Sequence, residues 1–450
     1  MTFDLCVAGG MLVDASGARA GSLLISDGQI AAVAPPGDVV DARETIDAAG
    51  ATVLPGLVDA HVHFRDPGLT HKEDFTSGTQ AAAAGGVTTV MVMPTDQPFT
   101  TDVERFEEKC ALAAGRIHVD VALQAALGPE TADLRGRIKA LADAGAVSFE
   151  IFLADVPDAF VTPDAGRLVS LLRAVAEVGA IAGISPGDLS LHAWALADAE
   201  RRFGRDRRAH LASRPPEAEA LGVTKACMAA RLSGAEIHVR QVSTALSVAA
   251  LSTFADESIS AEVTPHNLLL DETVLFRLGP AAKVFPPLRS PSDVTAMQQA
   301  VASGQIGIVA TDHAPHTPNE KAAGEEDLAK APGGFPGVQT LLPALLKLRD
   351  AGVIDLRRIA SVASEAPARR FGLFPRKGHL GVGADADFLI LADNVATVEA
   401  GRQLSRGSLT PFAGLSVRGD LQGVYLRGVP VMKDGGLAPP RGVVLRRLAG

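Results

Sequence analysis

The sequence predicts an α/β protein, namely a (β/α)8 TIM barrel with a small composite β-sandwich domain formed by the two ends of the chain. Between residues 53 and 380, runs rich in β-branched residues alternate with Ala- and Leu-rich stretches. This alternation is typical of parallel strands joined by crossover helices. The two ends carry short β patterns and Gly-rich turns without a helical period. The chain therefore has two kinds of structure, and each can be placed along the sequence.

The terminal segments predict the small domain. Residues 1–52 contain short apolar runs separated by turns, and Asp27-Gly28 is a hairpin signal. Residues 381–450 have the same texture. We predict that residues 1–52 and 381–450 pair into one β-sandwich domain, and that residues 53–380 form the barrel.

Eight strand candidates predict a closed barrel. They cover residues 57–64, 86–93, 117–124, 146–153, 180–185, 235–242, 259–266 and 306–313. An open, doubly wound sheet is the alternative, although no G-x-G-x-x-G follows the first strand. In barrels of this kind the active site lies at the carboxyl ends of the strands. We therefore look for the chemistry where these eight runs end.

Composition restricts the classes of function. The chain has 450 residues, of which 47% are hydrophobic and 21% charged, as in folded globular proteins. Lys and Arg number 42 against 52 Asp and Glu, and this net charge of −10 argues against binding nucleic acid or an anionic membrane. The three cysteines lie far apart, without the spacing of a disulfide framework or a zinc-thiolate site. With no leader-like start and no apolar run of about 20 residues, we expect a cytoplasmic protein with a small-molecule substrate.

The ends of the first and eighth strands carry candidate metal ligands. His61 and His63 lie two residues apart, so a strand places both imidazoles on one face. Asp312 ends the eighth strand, which neighbours the first in a closed barrel. It could ligate the same ion and act as general base for a bound water. An aspartate that only caps a turn is the alternative.

Several motifs carry a resemblance to a known family. LPGLVDAHVHFRDPG at residues 54–68 is followed by AAAAGGVTTV, SRPPEAEA, EVTPH, PPLRS, ATDHAPH and SEAPARRFGL. Together they resemble the cyclic amidohydrolases of the amidohydrolase superfamily: dihydroorotases, hydantoinases and allantoinases. The resemblance covers nearly the whole chain. It implies a barrel with a composite β-sandwich, a homodimer or homotetramer, and hydrolysis of a small cyclic amide or imide by metal-bound hydroxide.

The sequence departs from the family pattern at the metal site. Where the family carries a carboxylated lysine after the fourth strand, this chain has Glu150, which we expect to point into the barrel. Where the family has histidines on the fifth and sixth strands, Ser185 and Gln241 stand instead. Strand alternation predicts that His238 faces away from Gln241. We expect His238, and His192 in the helix after the fifth strand, to be packing or surface residues.

These departures predict a single-metal site. Its ligands would be His61, His63, Asp312 and Glu150, holding one divalent ion per chain. Zinc fits nitrogen and oxygen ligands, and manganese is the alternative. A two-metal site bridged by Glu150 is a further possibility. A catalytically inactive paralogue that serves as a structural or regulatory partner is the alternative to an enzyme.

Substrate contacts are predicted from the resemblance. The groups that hold the substrate carboxylate in dihydroorotases correspond to Arg65, Thr95 and His316, which suggests a ring that carries a carboxylate. An Arg65 that merely pairs with Asp66 or another acid is the alternative. Residues 317–334 are predicted to form a lid, with a surface loop as the alternative. Further candidates for substrate contact are His266, Gln241 and Phe285, and Gln241, Arg240 or His266 could donate to the developing oxyanion.

Overall fold

The N-terminal part of the chain is a set of β-strands. In the computed structural model, which describes residues 2–127, 133–254 and 256–447, these strands are β1 (Phe3–Asp14), β2 (Gly17–Ser26), β3 (Gln29–Ala34), β4 (Ala42–Asp47) and β5 (Thr52–Pro55). β2 and β3 form an antiparallel hairpin, and the turn residues Asp27 and Gly28 have φ values of 52° and 75°. A tight hairpin turn requires positive φ at both central residues, which an Asp-Gly pair tolerates.

A parallel barrel follows, with strands at all eight predicted places. They are β6 (Leu57–Val62), β7 (Val87–Val92), β8 (Asp120–Leu123), β9 (Ala125–Ala126), β10 (Phe149–Phe152), β11 (Ile181–Ser185), β12 (Glu236–Val239), β13 (Ile259–Val263) and β14 (Ile308–Val309). β8 and β9 are two parts of one barrel position, interrupted at Gln124. The barrel closes between β14 and β6, where the His63 amide donates to the His313 carbonyl at 2.7 Å. The prediction of a closed (β/α)8 barrel is confirmed.

Helices connect the barrel strands. They are α1 (Phe75–Ala84), α2 (Val103–Ala113), α3 (Leu134–Asp143), α4 (Ala165–Glu177), α5 (Leu189–Phe203), α6 (Arg207–Ala212), α7 (Pro216–Ser233), α8 (Ala245–Thr253), α9 (Pro265–Leu269), α10 (Thr273–Leu278), α11 (Pro291–Ser303), α12 (Pro318–Ala322), α13 (Leu341–Asp350), α14 (Leu356–Ala360) and α15 (Ala366–Arg370). An aspartate caps each of the first five helices by accepting a backbone N–H of the first turn. None of the described helices is long and apolar enough to cross a bilayer.

The C-terminal strands return to the N-terminal ones. They are β15 (Phe388–Thr397), β16 (Ser416–Leu426), β17 (Val429–Lys433), β18 (Gly436–Leu437) and β19 (Val444–Leu445). β15 pairs antiparallel with β5, so strands from both ends build one nine-stranded sheet. β19 instead pairs with β8 of the barrel. The domain boundaries at residues 52 and 381 stay a prediction.

Strand alternation decides what fills the barrel. Phe149 and Ile151 of β10 are fully buried in the large hydrophobic cluster that the strands share with the surrounding helices. Glu150, between them, points the other way and is also fully buried. The interior therefore holds charged side chains just below the carboxyl ends of the strands, where the candidate site lies.

Candidate active site

Three donor groups converge at the junction of β6 and β14. The Nε2 atoms of His61 and His63 lie 3.3 and 3.1 Å from Oδ1 of Asp312. The three side chains are only 2%, 13% and 6% exposed, in the order His61, His63, Asp312. Ligand atoms bound at about 2.0–2.1 Å to a tetrahedral ion lie about 3.4 Å apart. The donors therefore fit one metal ion.

The other ring nitrogen of each histidine is held by the protein. His61 Nδ1 lies 2.5 Å from Oε1 of Glu262, and His63 Nδ1 lies 2.7 Å from the Thr95 hydroxyl. Burial lowers the pKa of His63 to about 3, so its ring is neutral, which is the form that ligates a metal. Although burial opposes protonation of His61, the adjacent Glu262 carboxylate raises the pKa of that ring. Such partners orient a ligand and leave Nε2 directed at the metal.

Gln241 holds the second oxygen of Asp312. Its side-chain amide donates to Asp312 Oδ2 and, at 3.3 Å, to the Phe285 carbonyl. Gln241, Asp312 and Arg65 all have positive φ, at 51°, 50° and 60°. Residues other than glycine rarely adopt this conformation, and where they do they cluster at functional sites. These two hydrogen bonds use both N–H groups of the amide. Its oxygen, Oε1, has no hydrogen-bond partner among the described groups and is available to a substrate.

The end of β12 differs from the prediction. His238 and Arg240 point into the barrel, where both contact Glu262, whereas Gln241 crosses the mouth toward Asp312. The strand ends at Val239, and the positive φ of Gln241 breaks the alternation on which the prediction relied. His238 is thus a buried packing residue inside the barrel, and Arg240 does not face the mouth as an oxyanion donor.

Glu150, the fourth predicted ligand, does not join the three donors. Its carboxylate pairs with Arg240 at 2.7 Å and accepts from the Ser148 hydroxyl at 2.8 Å. The residues at the two histidine positions of the family, Ser185 and Gln241, supply no donor to the cluster either, which among the described residues consists of His61, His63 and Asp312. Among the described residues, this end of the barrel therefore brings together three ligands for one ion, and the number of ions bound stays a prediction.

Two side chains beside the donors have polar atoms without a protein partner. Nε of Arg65 is buried with no hydrogen-bond partner, and no described carboxylate lies within ion-pair distance of the guanidinium. Asp66 pairs with Arg116 at 3.2 Å instead. His266 is 2% exposed with an unpartnered Nε2, and burial lowers its pKa to about 4. The charge of Asp312 raises the pKa of both Arg65 and His266 against the effect of burial, so both side chains lie near the donor cluster.

The segment 317–334 lies against this space. Gly333 lies close to the Phe285 ring, and Gly334 lies close to Ala314. Phe335 packs edge-on against the His266 ring, with the two ring centroids 5.0 Å apart. His316, predicted to bind substrate, has its Nε2 at 3.0 Å from the Gly333 carbonyl. Its Nδ1 lies 3.3 Å from Lys72. Both ring nitrogens of His316 thus contact other protein groups, and the contact with Gly333 holds the segment in place.

The remaining predicted contacts are also tied to protein groups. The Thr95 hydroxyl, predicted to meet substrate, orients His63. The Phe285 ring lies beside His210 and under the Arg214 guanidinium, with centroid separations of 5.1 Å in both cases. His192 is buried on α5, 3.8 Å from Asp155, outside the donor cluster. The substrate roles of Thr95, Phe285, Gln241 and His316 stay predictions.

Two buried carboxylates near the donor cluster escaped the sequence analysis. Glu262 supports His61, and Asp59 accepts from the Thr311 amide at 3.0 Å and hydroxyl at 2.5 Å, which joins β6 to β14. Burial raises the pKa of Asp59 to about 6. The available signal was an acidic residue inside an otherwise apolar strand, since such a residue is buried only with a partner.

Comparisons with known proteins show the family of the chain. The model of the Amidohydrolase family matches residues 52–431. The chain is 36% identical over 443 residues to an allantoinase of Rubrobacter xylanophilus, covering 96% of this chain and 95% of the relative. It is 38% identical over 405 residues to a dihydroorotase of Halobacterium salinarum, covering 87% and 91%. The solved structure of an L-hydantoinase (dihydropyrimidinase) from Arthrobacter aurescens superposes with a TM-score of 0.94 at 31% identity, covering 99% of this chain and 100% of that one. These relatives are named as enzymes, and none favours the inactive alternative.

Proposed function

The chain belongs to the amidohydrolase family and is a cyclic amide hydrolase, and from this premise we propose that it opens a small ring carrying a carboxylate, using one divalent metal ion. The observation that carries the proposal is the Arg65 guanidinium. It lies beside the donor cluster, and its buried Nε has no partner among the described groups. A partly buried cation without a carboxylate at ion-pair distance is costly, and a substrate carboxylate in a bidentate pair would satisfy it.

The donor set supports a role for one ion. His61, His63 and Asp312 would hold it, with zinc preferred over manganese for two imidazoles and a carboxylate. When bound there, the ion would lower the pKa of a water and polarise the ring carbonyl. Glu262 and Thr95 keep both imidazoles turned toward this position.

Asp312 is the proposed general base. Although burial favours its protonated form, the imidazoles of His61 and His63 hold its pKa below the ordinary value, so the carboxylate is ready to accept a proton. Asp312 takes a proton from the attacking water as the C–O bond forms, and returns it to the ring nitrogen as the C–N bond breaks. The products are a carboxylate and an amine, amide or urea nitrogen.

Two neighbours would orient the ring. His266 is neutral at physiological pH, because burial lowers its pKa to about 4, and its free Nε2 can donate to the carbonyl oxygen as negative charge develops there. The free Oε1 of Gln241 can accept a ring N–H. Arg65 then fixes the remaining end of the substrate through its carboxylate.

A matched pair of rings tests the proposal. Dihydroorotate and dihydrouracil share one ring and differ in the carboxylate, and hydantoin-5-acetate and hydantoin differ in the same way. We expect the wild type to prefer the acidic member of a pair. In Arg65→Met, kcat/KM for the acidic ring should fall about 10- to 150-fold, the value of a hydrogen bond to a charged group, with little change for the neutral ring.

Arg116→Met is the matched control, because Arg116 lies in the same region but is already paired with Asp66. It should affect both rings equally. A wild type that prefers the neutral rings, or an Arg65→Met variant that loses both rings to the same extent, would overturn the proposed role of the carboxylate.

A further inference from the structure

Arg240 lies inside the barrel and uses every donor it has. Its side chain is fully buried. The guanidinium donates to Glu150 Oε1 at 2.7 Å and Oε2 at 3.2 Å, and to Glu262 Oε2 at 2.9 Å. It also donates to the Ala60 carbonyl at 3.1 Å and to the side-chain oxygen of Gln124. These contacts account for all five N–H groups of an arginine.

The first consequence concerns Glu150. Arg240 binds its carboxylate in a bidentate pair, and the Ser148 hydroxyl donates to it as well. A Cβ atom on Gly183 would come within 2.1 Å of Glu150 Oε1, so the glycine makes room for this arrangement. A guanidinium therefore already neutralises Glu150, and no excess negative charge at β10 remains to attract a second divalent ion.

The second consequence concerns the ligand His61. Glu262 Oε2 accepts from Arg240 at 2.9 Å and lies 2.9 Å from His238 Nε2. Its other oxygen, Oε1, lies 2.5 Å from His61 Nδ1. Arg240 and His238 thus fix the carboxylate that fixes the imidazole. The path from Arg240 to the donor cluster runs through two hydrogen bonds between fully buried groups.

We propose that Arg240 does for Glu150 what a second metal ion would otherwise do, and that through Glu262 it is a positioning residue for His61. This role rests on the proposed function, because it presumes one metal ion at His61, His63 and Asp312. A guanidinium is suited to it: its charge is permanent, and its planar fork holds two carboxylates in fixed directions. It needs neither carbon dioxide nor a second ion.

Two variants separate this role from that of a plain counterion. Arg240→Met leaves the buried carboxylates of Glu150 and Glu262 without their guanidinium. Arg240→Met/Glu150→Met removes the Arg240–Glu150 ion pair as a unit, which a buried site tolerates better than the loss of one partner. In both variants, Glu262 lacks the hydrogen bond from the Arg240 guanidinium. We expect both to bind Zn²⁺ about 10- to 100-fold more weakly than the wild type, the usual cost of losing a partner behind a metal ligand. Competition with a chromogenic chelator gives the affinity, plasma mass spectrometry the zinc per chain, and circular dichroism the fold.

Arg289→Met is the matched control, since Arg289 forms another buried pair, with Glu219 at 3.0 Å, away from the donors. It should bind zinc like the wild type, at one ion per chain. If only Arg240→Met fails to fold, the double variant carries the test. A double variant with wild-type affinity, or two zinc ions per wild-type chain, would overturn the role of Arg240 and leave metal-dependent hydrolysis in place. A wild type that holds no zinc and is indifferent to chelator would overturn the one-metal centre, and this role with it.

Discussion

Single side chains outside the H-x-H motif determine how His63 and Asp312 point. The Thr95 hydroxyl meets His63 Nδ1, and the Gln241 amide meets Asp312 Oδ2. Thr95 and Gln241 follow different strands, so the donor cluster is assembled by several loops at the mouth of the barrel. The loss of one such partner should show in metal affinity before it shows in stability.

Thr95→Val removes the hydroxyl while keeping the shape of the side chain. Because the hydrogen bond to His63 Nδ1 is lost, we expect Zn²⁺ affinity to fall about 10- to 100-fold, with Thr95→Ser close to the wild type. Chelator competition measures the difference. Equal affinity in the valine and serine variants would mean that packing alone orients His63.

At this scale the sequence reveals the residues that form a short motif. His61, His63 and Asp312 were predicted because two strand ends carry them in a recognisable pattern. The inward direction of Arg240 was not predicted, because it depends on how β12 ends and on a positive φ at Gln241 that no local pattern announces. Glu262 was missed although an acidic residue in the apolar strand β13 was a signal. Glu150 was predicted as a metal ligand inside the barrel, whereas the structure places it inside the barrel in an ion pair with Arg240.

Among the elements, the segment 317–334 is held by two buried lysines. Lys283 donates to the carbonyls of Leu328 and Ala331 at 2.7 and 2.6 Å. Lys321 donates to the carbonyls of Lys283 and Pro332, both at 3.0 Å. No described carboxylate lies within ion-pair distance of either ammonium group. The segment therefore has the anchoring expected of a lid, and its opening stays a prediction.

These lysines predict a pH dependence of stability. Burial lowers the pKa of Lys283 to about 8 and that of Lys321 to about 7, below the ordinary value of about 10.4. Between pH 7 and pH 10 the unfolded chain then binds more protons than the folded one, so the contribution of both lysines to the free energy of unfolding rises with pH. We expect the melting temperature of the wild type, relative to Lys283→Met/Lys321→Met, to increase from pH 6.5 to pH 9.

The comparison with the double variant cancels the other groups that titrate in this range. Lys330→Met, which removes an exposed lysine from the same segment, should follow the wild type at every pH. If the melting temperatures of the wild type and the double variant change with pH in parallel, the buried lysines titrate as they do in the unfolded chain.

The elements themselves were predictable because a barrel repeats one pattern. Each predicted strand position is occupied, but the strands are shorter than predicted: the run 306–313 yields only Ile308–Val309, for example. Hydrophobic runs continue into the loops that carry the site, so periodicity does not mark where ladder hydrogen bonds stop. The return of β19 to the barrel, through a two-residue pairing with β8, has no sequence signal of useful length.

At the scale of the whole molecule, one buried ammonium group joins the barrel to the terminal sheet. Lys377 Nζ lies 2.6 Å from Asp120, 2.8 Å from Asp385 and 2.7 Å from Asp387. Asp120 belongs to β8 of the barrel, whereas Asp387 immediately precedes β15 of the sheet. The three aspartates could hold a metal by their spacing alone. Since an ammonium group already occupies the space between them, we interpret the cluster as structural.

Lys377→Met tests how strongly this cluster couples the two parts. Although burial opposes its charge, the three carboxylates raise the pKa of Lys377, so the group is a permanent cation here. Arg427 reaches Asp120 and Arg376 reaches Asp385, but neither reaches Asp387, so the variant would leave Asp387 buried without a cation.

Removing one member of a buried ion pair costs about 3–5 kcal/mol. We expect a loss of this size in urea unfolding, and none in Lys433→Met, an exposed lysine on β17. A Lys377→Met chain as stable as the wild type would mean that Asp387 is protonated there, and that apolar packing alone joins sheet to barrel.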